Sequence, residues 1–225
     1  MNAAQIWRVY DPGPNRGSYY FLLPGSSPAA NRLAAQIARN RAPAALCQNK
    51  TVSANTSCEA SASVDNGSYD PDGDPVTVTQ SPPGPYSLGV TDVTLTVRDP
   101  QGETSTCTAT VTVVDTTTPK ISAVSATPNS LWPPNHRLMP VTIAASATDN
   151  CDPNADCRIV SVSSNEPGIQ PEWQITGPLT VNLRSERSGS GSGRMYTITV
   201  RCTDRSGNSS TKAVTVSVPH DKGKK

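Results

Sequence analysis

The sequence predicts an all-β chain: two tandem immunoglobulin-like β-sandwiches behind a short N-terminal segment of strands and one helix. Three observations point there. Ser (26) and Thr (25) supply 51 of the 225 residues, while Phe, Ile, Leu and Val total 39, of which 20 are valine. With a large net charge so few apolar residues would mean disorder, but the formal charge is +1, and the valine bias fits many short strands around thin cores. Apolar residues also alternate strictly with Thr or Ser, the period of a half-buried strand. Finally, the run Leu95-Thr-Val-Arg-Asp99-Pro-Gln-Gly102 and its following Val111-Thr-Val113 align without a gap on Val200-Arg-Cys-Thr-Asp204-Arg-Ser-Gly207 and Val216-Ser-Val218, an offset of 105 residues. Two divergent copies of one sandwich account for that repeat.

Charge divides the chain into three units. Residues 1–46 carry five Arg and one Asp (+4), residues 47–118 two bases and nine acids (−7), and residues 119–225 twelve bases and eight acids (+4). The first is an N-terminal extension, in which Ile6-Trp-Arg-Val-Tyr10 and Ser18-Tyr-Tyr-Phe-Leu-Leu23 read as strands around a Pro-Gly-Pro turn. Ser27-Pro28 opens a short Ala-rich helix with Leu33 and Ile37 on one face. A lone hairpin is marginal in water, so this segment needs a partner surface in its own chain or another, as a donor strand would. The second unit reads as strands at Val76 and Val78, at Val93, Leu95 and Val97, and at Ala109, Val111 and Val113. In the third the strands fall at Val141 and Ile143, at Ile159, Val160 and Val162, at Leu179, Val181 and Leu183, at Tyr196, Ile198 and Val200, and at Val214, Val216 and Val218. The units join at Asp115-Thr-Thr-Thr-Pro-Lys120, and their lengths suit sandwiches of about 100 residues.

The second unit resembles a hyalin-repeat (HYR) module, an immunoglobulin-like extracellular domain. The likeness rests on Cys47-Gln-Asn-Lys-Thr-Val52, Val64-Asp-Asn-Gly-Ser-Tyr-Asp70-Pro-Asp72-Gly-Asp74, Gly84-Pro-Tyr-Ser-Leu-Gly-Val90 and Ser105-Thr-Cys107-Thr-Ala109. The third unit resembles a companion module of bacterial secreted proteins, through Leu131-Trp-Pro-Pro-Asn-His136, Ala147-Thr-Asp149-Asn-Cys151, Ser164-Asn-Glu166-Pro, Leu183-Arg-Ser-Glu186-Arg-Ser-Gly189 and Val218-Pro-His220-Asp. The resemblance implies adhesion or spacing on secreted and surface proteins, with no catalytic residue to carry over. It also implies a Cys47–Cys107 disulfide, since HYR modules tie the first strand to the last. Cys157 and Cys202 read as a second bridge, joining the second strand to the sixth across the sandwich as in antibody domains. Cys58 and Cys151 are then left over, either as buried thiols or as partners in an intermolecular or interdomain bond. A Cys151–Cys157 loop staple that frees Cys202 is the competing arrangement. Six cysteines in this composition point to an oxidising compartment.

Asp70-Pro-Asp72-Gly-Asp74 sets three carboxylates at alternate positions around a turning glycine, as a hard cation with six to eight oxygen ligands requires. In this fold the neighbouring loop shares their pole and adds Asp99, with Asp65 and Glu103 behind. Calcium is the expected ion, and a plain polar turn the competing account. The equivalent loops of the third unit hold Asp149, Asp152 and Asp156, then Asp204 and Asn208, a weaker set to which the linker adds Asp115 in a cadherin-like junction.

Near-zero net charge excludes a generic nucleic-acid or membrane-surface polycation, and no apolar run reaches transmembrane length. Zinc has weak support, because Cys151 and Cys157 lack a second paired element and His136 and His220 sit in unrelated contexts. No Gly-x-Ser-x-Gly is present, and Glu166, Glu172 and Glu186 would serve glycoside hydrolysis only if geometry paired them. Trp132-Pro-Pro-Asn-His136 reads as an edge-strand bend before a sugar platform, and Arg184 to Arg194 as a flexible hairpin tip with solvated charge. The expected function is a non-enzymatic extracellular structural or adhesive protein, in its sharpest form a subunit of a cell-surface filament assembled through the N-terminal segment. Its partners are then further copies of the chain, or a surface glycan or protein. The alternative is the carbohydrate-binding or spacer portion of a larger secreted hydrolase.

Overall fold

The computed structural model describes residues 7–10, 18–21 and 40–221, and these consist of strands and loops without a helix. The helix expected from Ser27 to Ile37 lies outside the described residues. β1 (Trp7–Tyr10) and β2 (Ser18–Phe21) pair antiparallel, Trp7 opposite Phe21, as a two-stranded sheet of their own. The described residues form two compact units. Unit 1 holds the described residues up to Val52 together with Ser61–Thr112, and unit 2 holds Ser53–Ala60 with the chain from Val113 onward. The segment Ser53–Ala60, expected inside the first sandwich, thus groups with the second.

In and beside unit 1 the strands are β3 (Lys50–Ser53), β4 (Glu59–Ala60), β5 (Thr77–Ser81), β6 (Tyr86–Ser87), β7 (Gly89–Arg98) and β8 (Thr104–Val114). The main sheet runs in the order β3-β8-β7-β5. Alternation does the work the sequence assigns it: Val93, Leu95 and Val97 of β7 and Val111 of β8 are fully buried. Val78 is exposed instead, because β5 is the edge strand and lies beyond the cover of the core. One side chain substitutes for strand pairing beside it. Gln80 accepts the Val64 N–H (2.7 Å) and donates to the Ala62 carbonyl (3.1 Å) and the Tyr86 hydroxyl (2.8 Å), while Tyr86 donates to the Pro82 carbonyl. Residues 40–46, expected in the extension, are bonded into this unit: Ala44 and Tyr69 exchange both backbone hydrogen bonds, and Asn66 N–H reaches the Leu46 carbonyl.

Unit 2 contains β9 (Lys120–Thr127), β10 (Leu138–Thr148), β11 (Asp156–Ser164), β12 (Trp173–Gly177), β13 (Thr180–Arg184), β14 (Gly193–Thr203) and β15 (Ser209–Pro219). Its two sheets, β12-β13-β10-β9 and β11-β14-β15, have the four-plus-three division of a constant-type immunoglobulin sandwich. Between them lie Val141, Ile143, Val181, Leu183, Ile198 and Val216. The sequence shows five of these strands. β9 hides because its register skips Ser122 opposite the Ser146/Ala147 step, a bulge that breaks the two-residue period. A second bulge, between Ile159 and Ser161, turns Val160 out to solvent.

Candidate functional site

The six cysteines form three disulfides, Cys47–Cys107, Cys157–Cys202 and Cys58–Cys151, and none is free. Cys157 and Cys202 do not cross the sandwich. β11 is the third strand of its unit, not the second, because β9 precedes it; the two cysteines are register partners on neighbouring strands of one sheet, with Cα atoms 4.0 Å apart. Cys58 and Cys151, the candidates for an intermolecular or interdomain bond, close on each other, Cα atoms 5.3 Å apart, and so join the sequence stretches 47–118 and 119–225 within what folds as unit 2. Both sulfurs are held in place by local turns. Asn55 Oδ1 accepts the N–H groups of Ser57 and Glu59, and Asp149 Oδ1 accepts those of Cys151 (2.8 Å) and Asp152 (3.2 Å). Asn150 Nδ2 then donates to the Asn55 carbonyl at 3.0 Å, joining the two turns.

The acidic loops of unit 1 are engaged by their own chain. Arg41 donates from both its backbone N–H (2.6 Å) and its Nε (2.8 Å) to Asp72, and its guanidinium also reaches the Pro71 carbonyl. Gln101 holds Asp74, Asp70 caps the Asp72 N–H, and Asn40 holds Asp99 Oδ2. Asp99 Oδ1 accepts the N–H groups of Gly102 and Glu103. No three of Asp70, Asp72, Asp74 and Asp99 bring ligand atoms within 4.8 Å of one another. The loops do meet, as the fold requires: a guanidinium holds Asp72 and two amides hold Asp74 and Asp99, while Asp70 Oδ2 is buried without a partner. Of the outer ligands, Asp65 is bound by the hydroxyl and N–H of Ser68, and that hydroxyl is the main reason its carboxyl sits below the usual range. Burial pushes Asp99 up, but bonds from Asn40, Gly102, Glu103 and Gln101 outweigh it and leave the carboxyl lowered.

In unit 2 the weaker set also divides. Asp152 accepts the N–H groups of Asn154 and Arg205, Asp204 accepts the N–H and side-chain amide of Asn208, and Asp156 pairs with Arg158. Asp115 and Asp149 behave differently. A carboxylate oxygen of each lies within 4.8 Å of the other and of Cys151 Sγ, the group of potential ligands found among the described residues. Cys151 is oxidised and offers no thiolate, so the donors are oxygens.

At the other end of β14 lies an arrangement the sequence did not signal. Arg194, expected as solvated charge, is 1 % exposed. Its Nη1 is 3.3 Å from Glu172, its Nη2 is 3.8 Å from Glu186, and its Nε is 4.0 Å from Glu166. Nη2 also donates to the Pro167 carbonyl, and Nη1 to Tyr196 Oη, which donates in turn to the Arg184 carbonyl. Burial pushes the Tyr196 phenol up. Gly168 faces the guanidinium so closely that a Cβ there would collide with it. Ser185 Oγ bonds the Pro133 carbonyl, His136 N–H bonds the Ser185 carbonyl, and His220 Nε2 meets the Gly189 carbonyl. Glu166, Pro167, Glu172 and Glu186 thus surround the Arg194 guanidinium, and Leu131–His136 and His220 pack against the Leu183–Gly189 segment that carries Glu186. All but Glu172 lie in the segments on which the resemblance to a companion module rests, and Glu166, Glu172 and Glu186 are the carboxylates that only geometry could bring together; their meeting is a tertiary event. His136 and His220 have different neighbours, Glu186 and Asp221.

No protein-family profile and no curated protein matches this chain. Solved structures similar to it include human protocadherin-24 EC1-2, at 18% identity and a TM-score of 0.41 over 80% of this chain and 98% of that one. Drosophila N-cadherin EC1-4 matches at 11% identity and 0.43 over 79% of this chain and 49% of that one, and Sidekick-1 immunoglobulin domains 1-4 at 12% and 0.39 over 78% and 48%. The chain spans about half the length of the latter two.

Proposed function

We propose that this chain is a non-enzymatic extracellular structural or adhesive protein, a rigid subunit that assembles with further copies of itself. The observation that carries the reading is the pairing of all six cysteines, a state that persists in oxidising compartments and is rare in the cytosol. The carboxylates a glycosidase would need support it further, since Glu166, Glu172 and Glu186 surround a buried guanidinium rather than a cleft. Carbohydrate binding has less support: among the described residues of unit 2, Trp132 is the one exposed large aromatic, short of a stacking platform. No helix among the described residues is long and apolar enough to cross a membrane. Homotypic assembly through the N-terminal segment draws on β1 and β2, which among the described residues pair only with each other, and on the open edge strands β5 and β12. Full-length protein made in an oxidising compartment is expected to form filaments or oligomers by electron microscopy and light scattering, and a chain lacking residues 1–39 to be monomeric. Monomeric full-length protein at high concentration, or assembly that survives the deletion, overturns this reading.

A further inference from the structure

We propose that Asp115 and Asp149 bind a divalent cation, calcium before magnesium, in unit 2. Asp115 is 7 % exposed; its Oδ1 accepts the Thr117 N–H at 3.0 Å, and its Oδ2 is buried without a partner. Asp149 repeats the pattern, with Oδ1 occupied by Cys151 and Asp152 N–H groups and Oδ2 buried and unpaired. The Oδ1 of Asn150, one residue along, is a third buried oxygen with no partner. Among the described residues no Lys, Arg or His nitrogen comes within 4.0 Å of either carboxylate. Two like charges whose oxygens approach within 4.8 Å, each with a desolvated lone pair, repel unless something positive lies between them.

An all-oxygen donor set selects a hard cation, and calcium, with its flexible coordination, accepts fixed protein oxygens more readily than magnesium with its octahedral demand and reluctance to shed water. Two carboxylates with carbonyl and water ligands place the dissociation constant at about 10⁻⁴ to 10⁻³ M, the range of extracellular modules. Of the calcium set expected in this unit the site keeps Asp149 and the linker's Asp115; Asp152, Asp156 and Asp204 take no part, because hydrogen bonds or Arg158 occupy them.

The test is calcium binding by equilibrium dialysis and thermal unfolding of the disulfide-intact full chain, with calcium chloride, magnesium chloride or chelator alone. At ten times the dissociation constant calcium is expected to lower the unfolding equilibrium constant about elevenfold. Asp115→Asn with Asp149→Asn should abolish both binding and that response, and should leave the calcium-free protein as stable as wild type or more so, because the repulsion is gone. Asp72→Asn in unit 1 should leave the response intact. Wild-type protein that neither binds calcium in dialysis nor unfolds differently with it overturns the proposal. A calcium response that persists in the double variant overturns it too.

Discussion

The two sandwiches solve one problem with opposite chemistry. Each has a place where strand pairing stops and a polar side chain must satisfy the backbone and hydroxyl groups left over. Unit 1 uses a neutral amide: Gln80 serves the Val64 N–H, the Ala62 carbonyl and the Tyr86 hydroxyl at once. Unit 2 uses a buried cation, Arg194, facing three carboxylates and Tyr196. A neutral clamp loses a few hydrogen bonds when broken. An ionic one leaves charge in a low-dielectric interior, so its failure is abrupt. The comparison also shows what both copies retain. Asp99 and Asp204, 105 residues apart, make the same turn: each N–H donates to the carbonyl four residues on, each Oδ1 takes that residue's N–H, and Gly102 or Gly207 sits at positive φ between.

The largest expected effect separates the clamps. Arg194→Met should destabilise unit 2 by about 4 kcal/mol, the cost of stranding buried carboxylates, whereas Gln80→Leu should cost unit 1 about 2 kcal/mol for its unpaired groups. Urea unfolding followed by hydrogen exchange of β14 and β7 amides would show it; equal losses would mean that Arg194 is hydrated after all. Next comes the shared turn. Asp99→Ala and Asp204→Ala should each cost about 1 to 2 kcal/mol, and agree with each other within the scatter of such substitutions. A clear disagreement in calorimetry would break the equivalence of the two copies.

The smallest effect is a difference in pH response. Asp65, Asp72 and Asp99 in unit 1 are held below the ordinary carboxylate range; for Asp72 the backbone N–H of Arg41 is the leading cause, followed by its guanidinium. Their stabilisation is complete above that range and disappears as pH falls through the lowered values. His220 in unit 2 is raised, first by the Gly189 carbonyl and then by Asp221. Its contribution is complete below the ordinary imidazole range and is lost as pH rises through the raised value. Melting temperature against pH should therefore lose an acid-side slope in Asp99→Asn and a shallower neutral-side slope in His220→Gln. Unchanged profiles in both variants would remove this account.

What the sequence determined by itself was whatever repeats locally. Alternation of Val, Leu and Ile with Thr placed the core strands of both units, because a two-residue period can face a core in only one way. The 105-residue repeat placed Asp99 and Asp204 in matching turns. Strands whose period is broken escaped: β9 by its bulge at Ser122, and β12, Trp173–Gly177, by lying at a sheet edge where three of its five side chains are exposed. Which polar groups meet was decided only by the tertiary structure. Arg194 reads as solvated charge along the chain, Glu166, Glu172 and Glu186 as carboxylates that only geometry could pair, and Arg41 and Asn40 as part of a separate extension. Cys58 looks unpaired within its own stretch. Their partners lie 8 to 93 residues away, and nothing in local spacing encodes a charge or sulfur contact whose geometry depends on how far the intervening strands run before they turn.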